Sequence, residues 1–348
     1  MTEAMLKDIL TAEECNRLRT LIDEADVIVC CCHMHPDGDA VGALLGWGEV
    51  LRTLGKEPVL VLPDPIPDYL KWLPNSEKLV RYDKRKEYVE TVLKIADLVF
   101  CLDFNALSRT GNVEEALEAS PAKRVLIDHH LEPNIDTVLT VSEPSMSSTC
   151  ELVFRIVWQM GLFDTMGKHF AGPVYCGMMT DTGGFTFNSN DPDIFFIISQ
   201  LLTKHINKDK IYRCVYHNYS EHRLRLVGYL LYHQLVVDEQ RHAAYFTLTK
   251  EDMRKFRFVK GDAEGIVNMP LQIKGLKLSI SLREDTERDN LIWVSLRSVD
   301  DFPCNKMAEQ FFNGGGHLNA SGGHIDGTMD DAVMAVNKAL AAFEDTLK

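Results

Sequence analysis

Short apolar, β-branched runs alternate with amphipathic stretches through the first half of the chain, the pattern that predicts a mostly parallel sheet covered by helices. Residues 27–32 read as the first strong strand, and a helix follows at 40–54, closed by Gly55 just past its last turn. A strand at 58–62 leads into a loop punctuated by Pro63, Pro65 and Pro67. Two further apolar runs, 97–102 and 124–127, are too short for helices and read as buried strands, each running into an aspartate. Helices are expected at 148–160, 167–179 and 192–202, then one long helical stretch from 209 to 234. Beyond it the texture changes: 243–249, 276–282 and 291–296 are strand-like with partial alternation, and 330–347 is an amphipathic helix. The expected architecture is α/β, a mostly parallel-sheet N-terminal domain (1–200), a helical linker (201–237) and a smaller mixed α/β C-terminal domain (238–348).

A length of 348 residues suits two domains, and 45% apolar with 25% charged residues excludes disordered, collagen-like and coiled-coil classes. The 51 acidic against 37 basic residues leave a net charge of −14, so long duplex DNA is not an expected partner, whereas a short phosphorylated ligand in one pocket is compatible. The opening MTEAMLKDILTAEE carries acids where an export signal needs a basic start. The apolar windows at 194–202 and 227–237 fall short of the ~20 residues of a membrane span. The expectation is a soluble, cytoplasmic protein. Nine cysteines without a CxxC pair read as small buried hydrophobes in a reducing compartment.

The densest chemical signal is His33-Met34-His35-Pro36-Asp37-Gly38-Asp39, where the first strand gives way to the first helix. Ligands of open α/β sheets bind at that edge. An N-capping aspartate explains one of these acids but not two acids and two histidines within seven residues. Imidazole and carboxylate together suit borderline divalent ions. Asp103 and Asp128 end two further strands, His129 and His130 follow Asp128, and Asp181 follows an apolar helix with Gly183-Gly184 behind it. Neighbouring strand ends lie ~5 Å apart, so these acids can gather. Their mutual repulsion demands cations, and two divalent ions ~3.5–4 Å apart would offset it and supply a bridging hydroxide for attack on phosphorus.

These motifs resemble the DHH phosphoesterases, named for the triplet present here as Asp128-His129-His130. His33-x-His-Pro-Asp37-x-Asp39-Ala-x-Gly42 is similar to the first motif of that family, Asp103 with Ser108-Arg109-Thr110-Gly111 to the second, the triplet to the third, and Thr180-Asp181-Thr182-Gly183 to the fourth. The resemblance implies one metal held by His33, Asp37 and Asp103 and another by Asp39, Asp103, His129 and Asp181, with Asp103 bridging. It further implies that Asp128 orients the histidines and that His130 faces the substrate phosphate. His33 is preferred to His35 as the ligand because the family's histidine lies four residues before the first aspartate. Mn²⁺ is the expected metal, with Mg²⁺ and Co²⁺ as alternatives.

Later, Asn313-Gly314-Gly315-Gly316-His317-x-Asn319-Ala320-Ser321-Gly322-Gly323 resembles the DHH-associated domain. Read as a loop, Gly314, Gly315 and Gly316 would offer N–H groups to an anion, with His317 adding a hydrogen bond. The spacing is neither a Walker nor a dinucleotide loop. Arg297, at a strand end, resembles the family's substrate arginine; Arg109 and Ser148 complete the candidate substrate contacts, although Ser147-Ser148-Thr149 ahead of Glu151 also reads as a helix cap. Tyr212, Tyr216, Tyr219, Tyr229 and Tyr232 read as a half-buried packing stripe along one helix. Within the family, the motif set and length look most like the oligoribonuclease and 3′-phosphoadenosine 5′-phosphate phosphatase group. The implied substrate is a short single-stranded RNA or a nucleoside bisphosphate, with no membrane partner and with a homodimer allowed. The competing readings are a linear-dinucleotide phosphodiesterase, an exopolyphosphatase or pyrophosphatase, and a non-catalytic nucleotide-binding regulator.

Overall fold

The structure, a computed structural model, describes residues 6–259 and 261–348. The chain divides into two compact units, Met1–Asn218 and Tyr219–Lys348. In the first, six strands form one parallel sheet: β1 (Ile28–Cys31), β2 (Val59–Leu62), β3 (Val80–Arg81), β4 (Leu98–Leu102), β5 (Lys123–Asp128) and β6 (Leu139–Ser142), in the order β3-β2-β1-β4-β5-β6. The chain builds outward from β1 on one side and returns to build outward from β4 on the other. The order therefore reverses between β1 and β4, the place where an open α/β sheet leaves a crevice beyond its carboxyl ends. The aligned ends of β1, β4 and β5, set by Cys31 beside Cys101 and Leu102 beside Ile127, deliver His33, Asp103 and Asp128 to one edge.

Buried strands here are continuously apolar because helices cover both faces. Trp47 of the helix Gly38–Thr53 meets Phe100 of β4 edge-on at 5.1 Å. That helix packs on the helix Lys168–Asp181 through small residues. A Cβ on Gly38 would sit 2.2 Å from Thr180 Oγ1, and one on Gly42 would sit 2.6 Å from the Pro173 carbonyl oxygen. Glycine at these positions sets how closely the helix carrying Asp39 approaches the helix that ends in Asp181.

The second unit holds a mixed sheet of β7 (Val236–Asp238), β8 (Ala243–Leu248), β9 (Leu278–Glu284), β10 (Leu291–Ser298), β11 (Gly315–His317) and β12 (Ala320–Asp326), in the order β11-β12-β10-β9-β8-β7. Only β8 and β9 run parallel among these pairs. One face packs on the helices Cys304–Phe311 and Met329–Ala342.

Two expectations are corrected. The stretch 209–234 is not one helix: it forms Lys208–Tyr216, Glu221–Tyr229 and a single π turn, Leu230–Gln234. Ser220 stops the chain between the first two by accepting the Arg223 N–H at 3.0 Å as an N-cap, and the division into units falls at this break. The five tyrosines therefore form no continuous stripe: Tyr212, Tyr219 and Tyr232 are exposed. The second correction concerns residues 315–317, which are a strand rather than an open loop. A Cβ on Gly314 would lie 1.9 Å from the Gly322 carbonyl oxygen and one on Gly323 2.1 Å from that of Phe312, so backbone packing by itself requires glycine there. All nine cysteines are free, and no described helix is long and apolar enough to cross a membrane.

Candidate metal centre

Beyond β1 the chain turns into His33, whose imidazole is buried. Its Nδ1 lies 2.7 Å from the Met34 carbonyl oxygen. A carbonyl only accepts, so Nδ1 carries a proton and Nε2 is the nitrogen turned to the carboxylates. That Nε2 faces Asp103 Oδ2 at 3.4 Å and Asp37 Oδ1 at 3.9 Å. His129 repeats the device: Nδ1 lies 3.3 Å from the Met146 carbonyl oxygen, and Nε2 faces Asp181 Oδ2 at 3.4 Å, Asp103 Oδ1 at 3.7 Å and Asp39 Oδ2 at 4.0 Å. Anchoring one ring nitrogen on a backbone carbonyl is how metal-binding histidines are usually oriented.

The carboxylates are held with equal care. Asp39 is buried in the first turn of its helix, where its Oδ2 accepts the Thr149 N–H at 2.7 Å and its Oδ1 accepts the Cys150 N–H at 2.9 Å. Both donors belong to the first turn of the helix Thr149–Gln159, a terminus that favours negative charge. Thr149 Oγ1 also donates to Asp103 Oδ1 at 2.9 Å. Asp103 sits at φ 65°, a left-handed turn that aspartate tolerates better than most residues. Asp37 caps its helix through Oδ1, which accepts the N–H groups of Asp39 and Ala40 at 3.0 Å each. Asp181 ends the helix Lys168–Asp181.

Three donor groups result, each with its atoms within 4.8 Å of one another: His33, Asp37 and Asp103; Asp39, His129 and Asp181; and Asp103, His129 and His130. Asp103 and His129 each belong to two of them. Among the described residues no lysine or arginine pairs with Asp37, Asp39, Asp103 or Asp181, so imidazoles are the only side-chain counter-charge. The protonation equilibria show the resulting competition. Burial pushes Asp181 up to about 7, with Asp103 and Asp37 adding to the rise against the opposing pull of His129. Burial and the charges of Asp103, Asp181 and Asp37 raise Asp39 well above the usual carboxylate range. Burial also works against ionised Asp103 and protonated His33, yet their mutual hydrogen bond and charge win, leaving Asp103 at about 2 and His33 at about 9. Hard oxygen donors, imidazole lone pairs and uncompensated negative charge in one place fit divalent cations.

Around this cluster, Asp128 is fully buried; its Oδ1 lies 2.7 Å from His130 Nδ1, while its Oδ2 has no hydrogen-bond partner. Arg109 is half-buried in a 3₁₀ turn, and its backbone carbonyl accepts the Met34 N–H at 2.7 Å. Ser148 is the N-cap of its helix and accepts the Glu151 N–H at 3.0 Å, the capping arrangement read from its sequence. His35 is exposed and turned to Asp64, 3.3 Å from its Nδ1, away from the carboxylate cluster. In the second unit, Arg297 is half-buried on β10, with Nη1 donating to the Leu296 carbonyl oxygen at 2.8 Å, and burial lowers its pKa. Gly315, Gly316 and His317 line β11, with Gly316 and His317 exposed.

Thr149 and Cys150 were not apparent as site residues from sequence; their contribution is through backbone N–H groups and one hydroxyl. Behind them, Glu151 Oε2 accepts from Ser147 N and Oγ, and Glu151 Oε1 accepts from Arg155 Nε at 2.8 Å, a buried pairing that fixes the helix start.

Comparison with known proteins places the chain in a family. Residues 27–178 match the DHH family, N-terminal domain, and residues 242–348 match the DHHA1 domain. The chain belongs to the DHH family. An exopolyphosphatase-related protein from Bacteroides fragilis, known as a crystal structure, is 47% identical with a TM-score of 0.95 over 98% of this chain and 99% of that one. The bifunctional oligoribonuclease and PAP phosphatase NrnA of Thermus thermophilus is 28% identical over 320 residues, 90% of this chain and 88% of its own. The Bacillus subtilis protein of the same name is 24% identical over 86% of this chain and 90% of its own. RecJ of Thermus thermophilus in complex with Mn²⁺ shares the fold at a TM-score of 0.59 and 12% identity, covering 99% of this chain and 56% of RecJ. The DHH-family protein described here is thus a phosphoesterase of that family, with acidic and histidine groups able to hold metal.

Proposed function

We propose that this DHH-family phosphoesterase hydrolyses short RNA oligonucleotides to mononucleotides and removes the 3′-phosphate of 3′-phosphoadenosine 5′-phosphate. The observation that carries the reading is the set of three donor groups linked through Asp103 and His129 at the β1/β4 switch point, with no lysine or arginine among the described residues paired to their aspartates Asp37, Asp39, Asp103 and Asp181. His33, Asp37 and Asp103 would hold one divalent ion, and Asp39, Asp103, His129 and Asp181 the other, Mn²⁺ being favoured by the mixed imidazole and carboxylate set. When bound, the pair supplies charge neutralisation for a phosphoryl group and a lowered pKa for water.

The chain's own groups do the rest. Thr149 and Cys150 fix the Asp39 carboxylate, and the Thr149 hydroxyl fixes Asp103, so the donors are preorganised before substrate arrives. Asp128 holds Nδ1 of His130, which leaves Nε2 of that ring to face a phosphoryl oxygen. Arg109 neutralises the incoming phosphate beside His33. In the second unit, Arg297 and His317 are the proposed substrate contacts. The names of the Thermus and Bacillus relatives support nucleotide substrates. Polyphosphate is the second reading, favoured by the description of the 47% identical Bacteroides protein. Nine unpaired thiols suit a cytoplasmic setting.

The test is a rate ranking with Mn²⁺ on a dinucleotide, a pentanucleotide, a 24-mer RNA, a nucleoside bisphosphate, pyrophosphate and polyphosphate. The two short RNAs and the bisphosphate should lead; a lead for polyphosphate or pyrophosphate overturns the nucleotide assignment.

A further inference from the structure

Immediately after Asp181 the chain runs Thr182-Gly183-Gly184-Phe185-Thr186-Phe187, and the two glycines take left-handed conformations, at φ 55° and 76°. An aromatic ring occupies the space that the missing side chain of Gly183 leaves, and two more lie within van der Waals reach of Gly184. A Cβ on Gly183 would lie 2.1 Å from Phe187 Cε1; one on Gly184 would lie 3.6 Å from Tyr212 Cε2 and 3.9 Å from Tyr216 Cε2. Tyr216 is tied down, its hydroxyl donating to the Met179 carbonyl oxygen at 3.1 Å, and it supports Tyr212 at a centroid separation of 4.9 Å. Phe187 and Tyr212 nevertheless remain 58% and 43% exposed. Two large rings are thus braced against backbone at the end of the helix that delivers Asp181 to the metal centre, and each leaves much of its surface to solvent.

An inorganic phosphate chain gains nothing from such rings, since it is hydrophilic throughout. A nucleobase does gain, because every base has an apolar face that stacks on an aromatic side chain. We infer that Phe187 and Tyr212 form a stacking platform for the nucleobase next to the phosphate that reacts, and that they set a preference for nucleotides over base-free phosphoesters. The inference rests on the proposed phosphoesterase reading and supplies what that reading lacks, a feature that recognises the base.

The experiment compares wild type with the double variants Phe187→Leu/Tyr212→Leu and Phe187→Tyr/Tyr212→Phe. One readout is the ratio of kcat/KM for diadenylate over its abasic counterpart in Mn²⁺. The other is the fluorescence change of a 2-aminopurine dinucleotide bound to EDTA-treated protein. Thermal melting checks that each variant is folded, and the single Phe187→Leu variant replaces the leucine pair should that pair unfold. The leucine variant should lower the ratio about tenfold and lose the fluorescence change, while the aromatic swap keeps both. A leucine variant that keeps the ratio and the fluorescence change overturns the platform, as does a wild type that gives no fluorescence change. A wild type that fails to cleave diadenylate but shows a fluorescence change the leucine variant loses would remove the proposed reaction and leave the platform standing.

Discussion

The two units bury charge for opposite ends. In the second unit each buried charged group among the described residues is satisfied by its neighbours: Arg223 donates to the carbonyl oxygens of Asp262 and Glu264, the Asp262 carboxylate accepts the Val259 N–H, and Asp252 closes a capping box with Thr249. In the first unit Asp39, Asp103 and His33 are equally buried but point at one another, with Asp181 and His129 beside them. Charge that folding satisfies is structural. Charge that folding concentrates and leaves uncompensated is a binding site, and the cost is carried in the metal-free protein.

The comparison breaks most readily at Asp103. Asp103→Ala should lower metal-dependent turnover on the order of 10³-fold or more, because ligands that act as a unit fail together. Metal-free Asp103→Ala should remain folded by circular dichroism while losing the stabilisation that the Asp103–His33 pair provides; a variant that does not fold would show that the carboxylate is required for the structure. Thr149→Val, which removes a donor to Asp103 without touching a ligand, should weaken metal binding by roughly 10- to 100-fold as read by titration calorimetry.

Acidity sharpens the same contrast. Asp181, raised to about 7, favours folding while protonated, so its contribution is present at low pH and is lost as pH climbs through about 7. His33, raised to about 9, favours folding while protonated and loses its contribution as pH rises through about 9. Both act in one direction, and the EDTA-treated protein should melt at progressively lower temperature between pH 5 and pH 9.5. Saturating Mn²⁺ should flatten that slope, and an unchanged slope would separate the cluster from metal binding.

The smallest effects belong to the second unit. Arg223→Ala should cost about 2 kcal/mol by stranding two carbonyls, and Thr249→Ala about 1 kcal/mol by removing a cap, both by chemical denaturation. Neither should alter metal affinity.

Much of the first unit was legible because buried parallel strands leave runs such as Val29-Cys30-Cys31 and Leu98-Val99-Phe100 that no turn or surface segment imitates. The site was legible for a related reason: aspartate and histidine directly after such runs must sit at a strand's carboxyl end. What sequence hid follows physical rules too. Ala320-Ser-Gly-Gly-His-Ile-Asp326 has little strand propensity and becomes β12 through its pairing with β10 and β11. β3 is two residues long. The stretch 209–234 keeps apolar residues at helical spacing on both sides of Ser220, so the pattern runs on where the N-cap interrupts the helix. Thr149 and Cys150 act through backbone N–H groups, which every residue type carries and no motif marks.

The most direct measurement is a count of divalent ions. EDTA-treated protein titrated with Mn²⁺ and followed by calorimetry should bind two ions per chain, with the Asp103→Ala variant losing both high-affinity events. A stoichiometry of zero, or the same two events in the variant, would contradict the claim that the uncompensated carboxylates of the first unit exist to hold metal.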